Sequence, residues 1–126
     1  MKEKLNELLK NAYAPYSNYK VAAIIKAKDN KEFIGVNVEN ASYGATICAE
    51  RNAINNAIAN GYTKDDFTSI HVKSSKGFAY PCMICRQTFV ELLNDDVIVT
   101  IYSDNDNKEF MVKELCPVSF NKENLL

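Results

Sequence analysis

Leu5, Leu8, Leu9 and Ala12 recur at i, i+3, i+4 and i+7, the stripe of an amphipathic helix. Pro15 ends that helix or follows its end. The next loop, Ala14 to Tyr19, is rich in turn residues and carries Tyr16 and Tyr19. Two such rings either pack against the fold or wall a pocket for a flat ligand. Val21-Ala22-Ala23-Ile24-Ile25 is an unbroken apolar run, the pattern of a strand buried on both faces. Asp29-Asn30 then signals a turn. From Glu32 to Val38 the side chains alternate, with Phe33, Gly35 and Asn37 set against Ile34, Val36 and Val38. The two runs predict a hairpin.

A second helix is expected to begin near Cys48, with Ala49, Ala53, Ala57, Ile54 and Ile58 giving it an apolar face. Asn60-Gly61 is its stop. Thr68 to Ser74 reads as a third strand, and Cys82 to Asn94 as a helix that turns Phe89, Leu92 and Leu93 inward. Val97 to Tyr102 is a buried strand, Asp104 to Asn107 a turn, and Glu109 to Lys113 a last short strand. Leu115 to Phe120 forms a compact tail broken by Pro117, in which Cys116 is expected to be a small buried hydrophobe. A hairpin followed by alternating strands and helices predicts an α/β fold, a mixed sheet covered by helices.

Composition narrows this only by exclusion. The chain has 126 residues, so one domain spanning 1–126 is expected. At 47% apolar and 25% charged residues it needs no unusual device to build a core. Fifteen basic residues against 16 acidic ones give a net charge of -1, which argues against a nucleic-acid surface. No apolar run approaches the roughly 20 residues that span a bilayer. The segment from Met1 to Glu7 is too polar for a signal peptide. The expected location is the cytoplasm, where the four Cys are reduced thiols or metal ligands rather than disulfides.

The chemistry lies in Cys48-Ala49-Glu50-Arg51 and Pro81-Cys82-Met83-Ile84-Cys85. If Cys82 opens a helix, Cys82 and Cys85 place both sulfurs on one side of its first turn. Cys48 opens the other helix, where the macrodipole favours a thiolate. Sites in open α/β sheets gather at such strand-to-helix ends, so one metal can be pinned between two helix starts. Three thiols are one ligand short of a closed tetrahedron, which marks catalytic rather than structural zinc. Glu50, two residues from a ligand, is placed to move protons. His71, the only histidine, reads as a packed or surface residue and not as a ligand. Asn37 and Glu39 share one side of an extended segment. They are either part of a solvated loop or a grip on a sugar hydroxyl.

Cys-x-Glu with a later Pro-Cys-x-x-Cys is similar to the zinc-dependent deaminases. Five blocks sharpen the likeness: Tyr13 to Ser17, Asn37 to Tyr43, Ile47 to Arg51, Pro81 to Gln87, and Glu114 to Pro117 with Phe120. In this order they resemble the small homotetrameric cytidine deaminases over about residues 12 to 125. The resemblance implies a three-layer α/β/α fold with a five-stranded mixed sheet. It implies one Zn2+ per subunit on Cys48, Cys82 and Cys85, with Glu50 as the proton shuttle. Arg51 would offset the negative charge of three thiolates. Asn37 and a buried Glu39 would bind the ribose 3′-hydroxyl, excluding a 3′-phosphate and so favouring free nucleosides over polynucleotides. The Ala49 N–H would meet the base. Tyr19 stands where the family usually has a phenylalanine stacked by the base. Met83-Ile84 stands where it commonly has Gly and another small residue. Ala41, Tyr43 and Phe120 would reach a neighbouring subunit's pocket, so that the tetramer completes the site. The implied reaction is hydrolytic deamination of cytidine and deoxycytidine in pyrimidine salvage. Another aminated pyrimidine nucleoside, such as blasticidin S, is the alternative substrate.

Overall fold

The computed structural model describes residues 1–126. A five-stranded sheet runs through its centre in the order β2-β1-β3-β4-β5. β1 (Val21–Ala27) pairs antiparallel with β2 (Glu32–Val36) and with β3 (Phe67–Ser74). β3 and β4 (Ile98–Tyr102) form the parallel pair, and β5 (Asn107–Met111) closes the far edge antiparallel. A parallel pair needs a crossover, and α3 (Met83–Leu92) supplies it. α2 (Ala49–Ala59) lies between β2 and β3 in the chain.

Both helices cover one face of the sheet. Their core joins Ala53, Ile54 and Ala57 of α2 and Phe89 of α3 to Ala23, Ile25, Ile70, Val72 and Val99 of the strands. The opposite face carries α1 (Lys2–Leu9), whose Leu5 is fully buried against Ala22, Ile24 and Tyr102. The layers are therefore α/β/α, as expected. β1 is buried on both faces because every neighbour it has is a strand or a covering helix.

Two features bring α2 close to the sheet. Gly35 has no side chain, and the α2 backbone occupies the space a Cβ would need. Asn52 and Asn56, one helical turn apart, donate their amides to the carbonyls of Val36 and Ile34. Those carbonyls lie on the outer edge of β2, away from β1. Gly61 follows the last turn of α2 with φ +93°, the left-handed conformation that glycine adopts freely.

Several expectations are corrected. α1 stops at Leu9, so Ala12 lies beyond it and Leu8 and Leu9 are only partly buried. β2 ends at Val36, and Val38 keeps only isolated bridges to Tyr13 and Ile47. The final strand ends at Met111 rather than Lys113. Val112–Leu115 forms a short helix α4, because the Glu114 carboxylate accepts the Met111 N–H and the Lys113 N–H reaches Asp95. Cys116 at its end is half-buried, short of the full burial expected.

Candidate active site

Cys48 is the N-cap of α2 and Cys82 is the N-cap of α3. Both are extended at the cap, and each chain turns helical at the next residue. The two helix starts meet. The Sγ atoms of Cys48 and Cys82 lie 3.7 Å apart, and those of Cys48, Cys82 and Cys85 all fall within 4.8 Å of one another. Corners of a tetrahedron with Zn–S bonds of about 2.3 Å are about 3.8 Å apart. The cluster therefore fits a zinc ion by spacing and by its thiol donors. His71 stands apart from it, half-buried on the opposite face of the sheet, hydrogen-bonded to Ser69 and Tyr102 at 2.9 Å each.

The electrostatics differ sharply among neighbours. The Cys48 thiol is pulled down to about 5, chiefly by its hydrogen bond with the Cys85 thiol. Arg51 and Cys82 add to the effect. Cys85, fully buried and donating to Cys48, is pushed upward instead. Arg51 sends Nη2 to the Thr46 carbonyl at 3.2 Å and toward Cys48 Sγ at 3.9 Å. Its Nε is buried without a partner. Glu50 is 5% exposed, and burial raises its carboxyl to about 7, with the neighbouring Cys48 adding to the rise. A carboxyl at that value exchanges protons readily near neutral pH.

A cavity of about 310 Å³ opens onto this cluster. Cys48, Ala49, Glu50 and Cys82 form its floor, with Tyr19 and Tyr80 among its walls. Asn37 and Glu39 also line it. Their polar groups are partly engaged already. Asn37 accepts the Val21 N–H at 2.9 Å and donates to the Tyr19 carbonyl at 2.8 Å. Glu39 accepts the Tyr16 and Ser17 N–H groups and the Ser17 hydroxyl. Contrary to expectation Glu39 is half-exposed, and the Ser17 hydroxyl holds its carboxyl below the usual range. It is a carboxylate at neutral pH.

Ala41, Tyr43 and Phe120 do not line this cavity within one chain. Tyr43 is 80% exposed and borders an adjoining cleft with Tyr16, Ser17, Glu39 and Thr46. Phe120 is held outside by Gln87, whose amide donates to its carbonyl at 2.8 Å. Arg86 ties the ligand loop down, bonding the carbonyls of Pro81 and Leu115. Sequence reasoning gave no role to Ser17, Tyr80, Arg86 or Gln87. Ser17, Arg86 and Gln87 lay inside quoted motif blocks, whereas Tyr80, one residue before Pro81, carried no signal.

Residues 1–101 match the family model described as the cytidine and deoxycytidylate deaminase zinc-binding region. The chain is similar to a cytidine deaminase of Mycoplasma genitalium, 36% identical over 121 residues, covering 95% of this chain and 92% of the relative. It is likewise similar to a cytidine deaminase of Halalkalibacterium halodurans, 39% identical over 115 residues, covering 90% and 86%. Among solved structures, cytidine deaminase from Burkholderia pseudomallei superposes with a TM-score of 0.89 at 40% identity, covering 94% of each chain.

Proposed function

The chain belongs to the family of the cytidine and deoxycytidylate deaminase zinc-binding region, and from that membership we propose how its own residues carry the reaction. It is an enzyme that hydrolytically deaminates cytidine and deoxycytidine to uridine and deoxyuridine, releasing ammonia. The observation that carries the reading is the buried Glu50, raised to about 7, beside three thiols at zinc spacing.

Cys48, Cys82 and Cys85 hold one zinc per chain. When bound, zinc supplies the Lewis acidity that makes a water nucleophilic near neutral pH. Glu50 takes a proton from the attacking water and delivers it to N3 of the base. The water oxygen adds to C4. Glu50 then passes the second water proton to the amino group, which leaves as ammonia, and the C4 carbonyl forms. A carboxyl near 7 suits both halves of this shuttle, since it neither keeps nor loses its proton too firmly. Arg51 offsets the formal -1 charge of three thiolates on a divalent cation.

The Ala49 N–H orients the base and the Tyr19 ring stacks on it. Asn37 and Glu39 take the ribose 3′-hydroxyl with the hydrogen-bonding capacity their protein partners leave free. An ionised Glu39 repels a 3′-phosphate, so free nucleosides are the substrates. Residues 1–126 act as one domain, and the protein works in the cytoplasm. No helix is long and apolar enough to cross a membrane. Four copies assemble, and Ala41, Tyr43 and Phe120 complete a neighbour's site. Support for assembly comes from exposed apolar side chains, with Val118 96%, Met83 68% and Ile84 61% exposed.

The test is ultraviolet absorbance of cytidine with zinc-quantified protein, ammonia being assayed in parallel. Conversion to uridine with one ammonia per turnover is expected. Turnover of blasticidin S in place of cytidine would overturn the substrate assignment and keep the chemistry.

A further inference from the structure

Tyr80 forms part of the cavity wall and sits directly before the ligand loop Pro81-Cys82. It is 49% exposed, and its ring is tethered at the hydroxyl. Lys108 on the edge strand β5 donates its ammonium to the Tyr80 hydroxyl at 2.8 Å. The same ammonium lies 4.5 Å from the Phe78 ring centroid and 5.5 Å from that of Tyr80. Phe110, two residues along β5, meets the Tyr80 ring edge-on at 6.4 Å. An ammonium that donates to the Tyr80 hydroxyl while lying over the Phe78 ring ties those two side chains together. Nothing in the zinc chemistry requires it. Its visible effect is to hold one aromatic wall of the cavity in place from the outermost strand.

We propose that Tyr80 is a specificity-determining residue that closes the C5 side of the bound pyrimidine, and that Lys108 is the positioning residue that holds it there. The proposal rests on the deaminase reading. In that reading C4 faces the thiol cluster and N3 faces Glu50, which rises from the start of α2. The other ring neighbour of C4 is C5, which then faces the start of α3. Tyr80, with Ala79 beside it, lines the cavity on the segment that leads into α3. A 310 Å³ cavity is at the small end for ligand sites, so one phenol ring there limits what the base carries. The excluded class is pyrimidine nucleosides with a substituent at C5.

Two readouts on the zinc-loaded enzyme test this. The first is the ratio of kcat/KM for 5-methylcytidine to that for cytidine. The second is the ratio of calorimetric affinities for 5-methyluridine and uridine, which needs no turnover. Tyr80→Ser is expected to raise both ratios on the order of tenfold, the scale of one methyl group in a pocket. Lys108→Met is expected to give a smaller rise, mostly through KM, and Lys108→Arg to reverse it. Tyr80→Phe combined with Lys108→Met should add little to either alone, since both remove the same hold. Unchanged ratios in Tyr80→Ser overturn the proposal. A wild type that binds uridine more tightly than 5-methyluridine and converts no cytidine overturns the deaminase reading instead. A wild type that binds no pyrimidine nucleoside overturns both.

Discussion

Gly35 and Ala53 meet so closely that a Cβ on Gly35 would stand 2.3 Å from the Ala53 backbone nitrogen and 2.5 Å from the Ala49 carbonyl oxygen. Both clashes are with backbone, which cannot step aside as a side chain can. Ala49 directly follows Cys48, so this contact fixes the height of the α2 start above the sheet. Gly35→Ala is expected to destabilise the fold by about 1–3 kcal/mol, the usual cost of overpacking. It should also weaken zinc retention, because Cys48 moves with the helix. Urea unfolding and zinc content of the purified variant check the two effects separately.

Glu50→Gln keeps the shape of the side chain and removes its proton exchange. The variant is expected to fold, to bind as much zinc as the wild type, and to lose turnover by about 10²–10⁴. Chelation should abolish wild-type activity, and zinc should restore it. Full activity in Glu50→Gln would sink the assigned mechanism.

Arg51 touches the cluster without being a ligand. Removing it leaves three thiolates uncompensated. Arg51→Ala is expected to weaken zinc binding by about 10–100-fold, the range for groups that support metal ligands. Competition with a zinc-binding dye measures it. Unaltered affinity would mean that Arg51 serves only to pin the Thr46 carbonyl.

His71 makes stability depend on pH. Burial holds its imidazole below the ordinary 6.5, opposed by Glu32 and reinforced by Lys26 and the chain's N-terminal amine. The neutral ring donates to one of its two hydroxyl partners, Ser69 and Tyr102, and accepts from the other. The unfolded chain takes up the proton first as pH falls below about 6.5, so stability from this group is lost in the acid direction. The urea midpoint of the wild type should drop more between about pH 7.5 and pH 5 than that of His71→Gln. Parallel curves for the two proteins would remove His71 from the pH response.

Phe120 is 55% exposed in one chain although it is a large apolar ring. Phe120→Asp is expected to reduce the assembly mass seen by light scattering and to lower activity in step. A wild type that runs as a monomer with full activity would refute the shared site.

The parts legible in the sequence were those governed by local rules. Proline before Cys82 and the three-residue spacing to Cys85 foretold a helix start with both sulfurs on one side. Gly61 foretold where α2 stops. Other features depend on neighbours distant in the chain. Nothing local distinguishes Gly35 from any strand glycine, because its reason is a helix 14 or more residues later. Tyr80 gains meaning only through Lys108, 28 residues downstream on another strand. The family resemblance implied a buried Glu39. Ser17 and two backbone amides hold it at the rim instead. The short helix α4 is not legible locally, because Val112 continues the apolar rhythm of β5. The Glu114 cap, not that rhythm, decides the geometry there.

The amides of Asn52 and Asn56 on the outer carbonyls of β2 bear on how copies of this chain can meet. A bare strand edge invites another chain to continue the ladder, and a ladder has no natural end. Here two of the acceptors that such a newcomer would use are already taken from within. At this edge, contacts between copies would then come from helices and loops rather than from strand pairing. An isologous pairing of such faces would close on itself, whereas strand addition along this edge would not.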